Sequence, residues 1–195
     1  MSHYFINDKN IESEDIIIKY TYKGKELSFI SNSGIFSKNR VDFGTNLLLN
    51  TIEIKKNSIL DLGCGYGVVG VCIASSSSLF DVLSVDINER AVELTNKNYI
   101  NNQVNNGRAI VSDVYCNLDK MFDVIITNPP IRAGKEVVYE MVLNGINYLK
   151  EEGEIWVVIR KDKGGMSLFK NMQTVYSFAE IVNKKNQYLV IKGIK

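Results

Sequence analysis

Blocks of apolar residues alternate with polar stretches along the chain, and their spacing predicts strands and helices in turn. Short runs rich in β-branched residues indicate strands, and apolar residues three or four positions apart indicate helices. The predicted strands are residues 58–62, 82–86, 108–111, 123–127, 154–159, 175–182 and 188–194. The predicted helices are residues 68–75, 89–100, 136–148 and 166–172. This alternation is typical of an α/β fold in which helices cover both faces of a doubly wound, mostly parallel sheet.

The two ends of the chain depart from this alternation. The short link 183–187 joins the last two strands and predicts an antiparallel pair, so the seven-stranded sheet is expected to end in a reversal. Near the start, residues 16–22 and 26–30 flank a Lys23-Gly24 turn and predict a small β-hairpin.

Polar residues ahead of two apolar runs are expected to begin helices. Asn88 is the predicted N-cap of helix 89–100, and Thr45 is the predicted N-cap of a helix that contains the apolar run 47–49. A chain of 195 residues supplies one core but not two full α/β domains. We therefore expect an N-terminal extension over residues 1–42 and one α/β domain over residues 43–195.

Composition excludes several classes of protein. The chain is 45% hydrophobic and 23% charged, as is ordinary for a globular protein. No apolar run approaches the ~18 residues that a membrane span needs, so no membrane partner is expected. The first residues contain no cationic segment followed by an apolar one, which argues against a secretory signal and predicts a cytoplasmic location.

Few residues are available for the commoner kinds of catalysis. His3 is the only histidine, so a catalytic triad or a multi-histidine metal centre is excluded. Cys64, Cys72 and Cys116 do not have the spacing of a zinc site or a redox pair. The sequence predicts chemistry that uses neither an imidazole nor a metal.

Positive charge is concentrated in the last part of the chain. The net charge is +1, but residues 160–195 hold eight Lys or Arg against two acids, which leaves −5 on the remainder. The cations that follow the predicted strands 123–127 and 154–159 are Arg132, Lys135, Arg160, Lys161 and Lys163. We expect them to meet at the carboxyl edge of the sheet and to face a polyanion, the alternative being a rim of solvated lysines.

A glycine-rich turn follows the first predicted strand of the sheet. Glycines at every second position let a ligand approach the main chain, and the amides of such a turn are expected to present hydrogen-bond donors. The residues expected to bind a nucleotide-type cofactor here are Asp61, Gly63, Cys64, Gly65 and Gly67. Residues 65–70 also match a G-x-G-x-x-G fingerprint, so a nicotinamide-dependent dehydrogenase is an alternative.

Two acids end the next two predicted strands. Asp86 is placed to accept both ribose hydroxyls, which suits NAD and S-adenosylmethionine equally, and Asp113 is placed to accept an adenine amino group. Ile87, Ser112 and Val114 flank these acids and complete the predicted cofactor site. Asp is also a common turn residue, so a capping role is the alternative for both acids.

The strand 123–127 runs into the tetrapeptide Asn128-Pro129-Pro130-Ile131, which contains the only two prolines of the chain. Prolines fix the backbone and leave their carbonyls free, so this turn is expected to be rigid. The Asn128 side-chain oxygen and the Pro129 carbonyl are placed to accept the two hydrogens of a substrate amino group. These contacts would orient the nitrogen lone pair toward a methyl donor without a general base.

The motifs in combination resemble a known family over nearly the whole chain. They are the glycine turn with Asp86 and Asp113, the segments 34–37, 44–45 and 47–49, Arg40, Asp42, and the segment 128–135. Together they resemble the class I S-adenosylmethionine-dependent methyltransferases, and more narrowly the RsmC-like group of ribosomal RNA guanine-N2 methyltransferases. In the larger class Phe or Tyr often follows the two prolines, where this chain has Ile131.

The resemblance implies a Rossmann-like fold, S-adenosylmethionine as cofactor, and ribosomal RNA or a small-subunit particle as partner. It implies catalytic roles for the tetrapeptide 128–131, and cofactor contacts for Thr45 and Asn128. It also implies that Phe36, Arg40, Asp42 and Thr45 form a lid of the pocket, with Phe36 and Arg40 in contact with substrate, the alternative being a packed entry to the helix that contains residues 47–49. The cations expected to bind substrate, from their place at the carboxyl edge, are Arg132, Lys135, Lys161 and Lys163. The alternatives are an N-methyltransferase acting on DNA adenine or a protein glutamine, and a non-catalytic ligand-binding module.

Overall fold

A computed structural model describes residues 15–32 and 40–195, and nine strands and five α-helices lie in this part of the chain. The strands are β1 (Ile16–Tyr22), β2 (Lys25–Ser31), β3 (Ser58–Leu62), β4 (Asp81–Asp86), β5 (Gly107–Val111), β6 (Phe122–Thr127), β7 (Leu149–Arg160), β8 (Phe178–Lys185) and β9 (Tyr188–Ile194). The helices are α1 (Phe43–Thr51), α2 (Val68–Ser76), α3 (Glu89–Asn101), α4 (Lys135–Leu143) and α5 (Gly165–Val175). Short 3-10 turns occur at Ile131–Ala133, Asn144–Tyr148 and Lys161–Lys163.

The main sheet has seven strands in the order β5-β4-β3-β6-β7-β9-β8. Within this sheet β9 runs antiparallel to both of its neighbours, and the other strand pairs are parallel. The strand order reverses between β3 and β6, and in open α/β sheets ligands bind outside the carboxyl ends of the strands at such a point. The predicted sheet with a terminal reversal is confirmed.

Apolar side chains cover both faces of the sheet. On one face Ile59, Val124 and Ile126 share a buried cluster with residues of α1, α2 and α3. On the other face Leu60 and Ile125 share a second cluster with residues of α4 and α5. Because consecutive strand residues point to opposite faces, these buried strands read as continuous apolar runs.

The β1-β2 hairpin is confirmed, and it joins the first of these clusters through Ile18 and Phe29. Its second strand is held to α3 by asparagine amides. Asn102 accepts from the Ser28 amide (2.8 Å) and donates to the Ser28 carbonyl (2.8 Å), and Asn98 makes the same pair of bonds with Ile30 (2.7 and 2.9 Å). The helix therefore supplies the hydrogen bonds that a third strand would make.

The predicted N-cap of α1 is wrong, whereas that of α3 is confirmed. Asn88 accepts from the Arg90 amide at 3.0 Å. In α1 the cap is Asp42, whose Oδ1 accepts from the amides of Gly44 (2.9 Å) and Thr45 (3.2 Å). Thr45 instead lies inside the first helical turn, where its hydroxyl is free to reach another element.

Several other predicted boundaries shift. β7 begins at Leu149, five residues before the predicted start, because Leu149 pairs with Phe122 ahead of a bulge. Residue 175 belongs to α5, and β8 runs from Phe178 to Lys185, so the final link is shorter than predicted. The predicted helix 136–148 is α4 followed by a 3-10 turn. The division of the chain at residues 42 and 43 stays a prediction.

Candidate active site

The glycine turn between β3 and α2 has a bare surface at one position and a tight internal contact at another. Gly65 has φ +58°, and a Cβ placed there would meet nothing within 4 Å. Gly67, which precedes α2, has φ +88°, and a Cβ there would lie 2.7 Å from Thr95 Cγ2. Both backbone conformations favour glycine. No side chain therefore covers the outer surface of the turn at Gly65, and at Gly67 the turn packs closely on α3.

The main-chain amides of this turn are already used within the protein. Those of Gly63 and Cys64 both donate to the Val85 carbonyl at 2.9 Å, and that of Gly67 donates to the Cys64 carbonyl at 2.9 Å. The amide of Gly65 donates to Asp86 Oδ2 at 2.9 Å. These four amides therefore fix the turn, which offers a ligand its open surface. That amides of the turn also donate to a ligand stays a prediction.

Asp61 lies beneath the turn and is 2% exposed. Its Oδ2 accepts from the Gly70 amide (2.9 Å) and from Ser84 Oγ (3.3 Å), and Ser84 Oγ lies 2.9 Å from the Tyr99 hydroxyl. Burial raises the pKa of Asp61 to about 7, although these two hydrogen bonds oppose the shift. The described contacts of Asp61 brace α2 against β4, and its contact with a cofactor stays a prediction.

Cys64 faces the protein interior. Its thiol lies 3.5 Å from Thr95 Oγ1 on α3 and is buried. Burial raises the pKa of this thiol well above its ordinary value, so it is not a nucleophile at neutral pH. The contribution of Cys64 to a cofactor site is therefore limited to its main chain and to the shape of the turn.

Asp86, at the end of β4, joins the glycine turn to the start of α3. Its Oδ2 accepts from the Gly65 amide (2.9 Å), and its Oδ1 accepts from the Asn88 amide (3.0 Å). Burial raises the pKa of Asp86 above its ordinary value, and hydrogen bonds from the amides of Asn88, Gly65 and Ile87 oppose that shift. A carboxylate has about four lone-pair sites, so Asp86 keeps acceptor capacity beyond these main-chain donors, and its recognition of ribose hydroxyls stays a prediction.

Replacement of Asp86 by alanine should weaken the binding of S-adenosylmethionine, the cofactor that the resemblance implies, by about 1–3 kcal/mol, because ribose hydroxyls lose an acceptor. Titration calorimetry measures this change. Asp81→Ala at the other end of β4 is the matched control, since its carboxylate forms a surface ion pair with Lys120 at 2.9 Å. Equal affinities for Asp86→Ala and the wild-type protein would remove Asp86 from the cofactor site.

The turn after β5 lies at the same carboxyl edge of the sheet as Asp86. Ser112 is buried, and its hydroxyl donates to the Val114 carbonyl (3.0 Å) and accepts from the Asn117 amide (3.2 Å). Val114 has φ +47°, a conformation that β-branched residues rarely adopt. Asp113 is exposed, and within the described part of the chain its carboxylate has no hydrogen-bond partner. Ile87, which follows Asp86, is 40% exposed and supplies an apolar surface.

Asn128 follows β6 and lies against the first turn of α1. Its Nδ2 donates to Thr45 Oγ1 at 2.9 Å and lies 3.3 and 3.4 Å from the two carboxylate oxygens of Asp42. Among the described residues no donor reaches Asn128 Oδ1. The side-chain oxygen is therefore free to accept a hydrogen bond from a substrate.

The carbonyls of the two prolines after Asn128 differ in their hydrogen bonding. The Pro130 carbonyl accepts from the Ala133 amide at 2.9 Å and closes the 3-10 turn Ile131–Ala133. The Pro129 carbonyl accepts no hydrogen bond from any described residue. Among the described residues, the two acceptors that the sequence predicts, Asn128 Oδ1 and the Pro129 carbonyl, thus receive no hydrogen bond, and Thr127 Oγ1 at the end of β6 is a buried oxygen that also has no partner. Ile131 is half-buried beside them.

The predicted cations lie after neighbouring parallel strands. Arg132 follows β6 and Lys161 and Lys163 follow β7, and all three are exposed. Two members of the set have intramolecular partners: Arg160 forms a two-pronged ion pair with Asp162 at 2.9 Å, and Lys135 Nζ lies 4.9 Å from the Tyr139 ring. Arg132, Lys161 and Lys163 are thus the members best placed to meet a polyanion.

The remaining predicted residues lie just ahead of α1. Arg40 is exposed there, and Phe36 lies outside the described residues. The contact of Asp42 with Asn128 is the functional feature that the sequence pattern does not predict, because 86 residues separate the two. Both segments stand out in the sequence, but no local signal shows that they meet.

Comparison with protein families decides among the remaining alternatives. Residues 26–192 match the family described as the methyltransferase small domain. The chain belongs to the methyltransferase small domain family. The protein is a methyltransferase that uses S-adenosylmethionine, so the dehydrogenase and the non-catalytic module are excluded.

Relatives in the methyltransferase small domain family include longer proteins. Protein YbxB of Bacillus subtilis is 38% identical over 197 residues, 99% of this chain and 98% of that protein. The ribosomal RNA small subunit methyltransferase C of Haemophilus influenzae strain 86-028NP is 38% identical over 139 residues, 69% of this chain and 42% of that enzyme. The Vibrio cholerae enzyme of the same name is 30% identical over 181 residues, 89% of this chain and 51% of that enzyme. The chain thus spans about half of these two enzymes, and its RsmC-like resemblance is confirmed.

A solved structure shares the methyltransferase small domain fold. The Thermus thermophilus 16S ribosomal RNA N2 G1207 methyltransferase, solved with S-adenosylmethionine and guanosine, superposes with a TM-score of 0.81. The identity is 24%, and the match covers 93% of this chain and 50% of that one. This likeness confirms the Rossmann-like class I methyltransferase fold.

The described residues fit the cofactor of the methyltransferase small domain family. Gly65 follows β3, Asp86 ends β4 and Asp113 follows β5, and these three strands are adjacent in the sheet. A Cβ at Gly65 would meet nothing within 4 Å, and Asp113 is exposed. Ribose hydroxyls and an adenine amino group are the partners that these two carboxylates suit. Within the described residues no helix is long and apolar enough to cross a membrane.

Proposed function

We propose that this methyltransferase modifies an exocyclic amino group, the N2 amine of guanine in ribosomal RNA. The observation that carries the proposal is the pair of acceptors at the end of β6, Asn128 Oδ1 and the Pro129 carbonyl. Two acceptors on one rigid turn match an NH₂ group, because each of its two N–H groups can donate a hydrogen bond to one of them. The relatives named ribosomal RNA methyltransferase and the guanosine in the Thermus thermophilus complex support guanine as the base.

The two acceptors would orient the substrate amine and stabilise the positive charge that develops on its nitrogen. S-adenosylmethionine, when bound, supplies an electrophilic methyl group on a sulfonium. Asn128 Oδ1 and the Pro129 carbonyl hold both N–H groups of the amine, which leaves the nitrogen lone pair free for in-line attack. Both acceptors bind the amine more strongly as its nitrogen becomes positive, so they favour the transition state over the ground state.

The residues around the turn prepare it for this task. Pro129 and Pro130 fix their φ angles, so the carbonyl direction changes little between the free and bound states. Ile131 supplies an apolar wall of the kind that a base edge or face can contact. No imidazole is required, since a methylated and positively charged amine loses its extra proton readily to water.

Methyl transfer to defined substrates tests the proposal. The protein is incubated with radiolabelled S-adenosylmethionine and either naked small-subunit RNA, the small-subunit particle, DNA or a glutamine-containing protein. The nucleosides are then identified by mass spectrometry. We expect N2-methylguanosine from RNA or the particle. Label in adenine of DNA or in a protein glutamine would replace the proposed substrate, since the same acceptor pair fits those amines.

RNA binding should depend on the exposed cations at the carboxyl edge. Each phosphate that the protein neutralises steepens the logarithmic salt dependence by about 0.7–0.9, so Arg132→Gln together with Lys161→Gln should flatten the slope by roughly 1.5. Binding titrations over a range of salt concentrations measure this slope, and cofactor affinity should not change.

A charge-matched control distinguishes a specific surface from a general loss of charge. Lys55 and Lys120 precede β3 and β6, so they lie at the opposite edge of the sheet. Replacement of both by glutamine should leave the salt slope near the wild-type value. Equal slopes for the two double variants would mean that the carboxyl edge is a solvated rim and that RNA binds elsewhere.

A further inference from the structure

Asn128 is held by a segment far away in the sequence. Thr45 Oγ1 accepts from Asn128 Nδ2 at 2.9 Å, and the Asp42 carboxylate oxygens lie 3.3 and 3.4 Å from the same nitrogen. Both partners belong to the beginning of α1, where Asp42 is also the N-cap. One short turn thus begins a helix and contacts the residue expected to orient the substrate.

The position of this turn is itself fixed by packing. The Phe43 ring lies 5.4 Å from the Tyr188 ring at the start of β9. A Cβ on Gly44 would lie 2.8 Å from Tyr188 Cε1 and 3.1 Å from Asp42 Oδ1. A larger residue at Gly44 would therefore push α1 away from β9, and with it the cap that contacts Asn128.

The chemistry of the contact decides which end of the Asn128 amide faces outward. The oxygen and nitrogen of a primary amide have nearly the same size, and rotation of the group by 180° exchanges acceptor and donor. A carboxylate only accepts hydrogen bonds, so Asp42 favours the orientation in which Nδ2 points inward. In the opposite orientation Asn128 would present N–H groups to a substrate that also presents N–H groups.

We propose that Asp42 and Thr45 are positioning residues that hold the Asn128 amide with its oxygen toward the substrate amine. This inference rests on the proposed function, since an outward acceptor matters only for a substrate that donates. It assigns to the turn before α1 a part in substrate selection: the pair Asp42 and Thr45 favours amines and disfavours groups that only accept.

Two pairs of variants test this role. Thr45→Val keeps the shape but removes the acceptor, and it should lower kcat about fivefold, as loss of one hydrogen bond predicts, with both KM values within twofold. Thr45→Ser keeps the hydroxyl and should restore kcat. Asp42→Asn keeps a good N-cap oxygen but adds an NH₂ group that faces Asn128 Nδ2, so it should lower kcat about 100-fold. Asn50→Ala, an exposed change on the same helix, should leave kcat unchanged.

A second measurement does not depend on activity. In the ligand-free protein the Asn128 side-chain NH₂ signals, assigned by their loss in Asn128→Ala, should exchange slowly with solvent. Exchange should be faster in Thr45→Val and Asp42→Asn, and slow again in Thr45→Ser. A role in helix stability alone would lower the melting temperature without this pattern.

The two readouts separate failure of the inference from failure of the proposed function. If wild-type protein methylates no amine substrate, the proposed function is wrong, and the exchange rates still decide the orientation of the amide. If wild-type protein is active and Thr45→Val keeps both wild-type kcat and slow exchange, the positioning role is overturned.

Discussion

Asn128→Ala should lower kcat for methyl transfer by about 100- to 1000-fold, because both the orientation of the amine and the stabilisation of its developing charge are lost. Cofactor affinity should change little, since the side chain is expected to act mainly in the transition state. Single-turnover kinetics with saturating RNA and cofactor, together with calorimetry, give the two quantities separately.

The matched control for this variant is another asparagine whose side chain bonds locally. Asn171 on α5 donates to the Ser167 carbonyl at 2.7 Å. Asn171→Ala should keep the wild-type kcat. An unchanged kcat in Asn128→Ala would remove Asn128 from the mechanism and leave the Pro129 carbonyl without its partner acceptor.

Gly70→Ala should destabilise the protein by about 3 kcal/mol and lower the melting temperature by roughly 6–12 °C. Its Cβ would lie 2.3 Å from Ser84 Oγ, 2.5 Å from the Tyr99 hydroxyl and 2.9 Å from Asp61 Oδ2. These three groups form the buried hydrogen-bonded network beneath the glycine turn, so none can move without the loss of a partner. Thermal and urea unfolding measure the effect.

A second substitution tests the cause of the expected loss. Ser84→Ala removes the atom nearest to the new Cβ, so the double variant should regain part of the stability lost by Gly70→Ala. Contacting residues of this kind are expected to be non-additive. Strictly additive effects would show that Gly70 is required for a reason other than this contact.

The order of elements could be predicted because buried parallel strands are apolar on both faces. The run 123–127 is an example: its alternate residues enter the two opposite clusters. The bulge that lets Leu149 pair with Phe122 has no comparable signal, because the intervening charged residues resemble a loop. The start of α1 also cannot be predicted from the local sequence, because Gly44 is a poor helix former. Glycine fits at this position because a Cβ would lie too close to Tyr188.

The site could be predicted in part for a similar reason. Asn128 and the two prolines follow a strand directly, so their place at the carboxyl edge follows from the strand itself. The inward hydrogen bonds of the glycine-turn amides depend on Val85 and Asp86 of the neighbouring strand. A contact between two strands cannot be predicted from the sequence of one of them, so the sequence does not show that these amides bond within the protein.

The asparagine contacts between α3 and β2 have a consequence for self-association. An unpaired strand edge is a template for other chains, and an isolated two-stranded hairpin is only marginally stable in water. Asn98 and Asn102 occupy both main-chain groups of Ser28 and Ile30, so this edge has no free donors or acceptors at those residues. The same side chains that attach the hairpin to α3 thus block the β2 edge, at these two residues, against pairing with a strand of another chain.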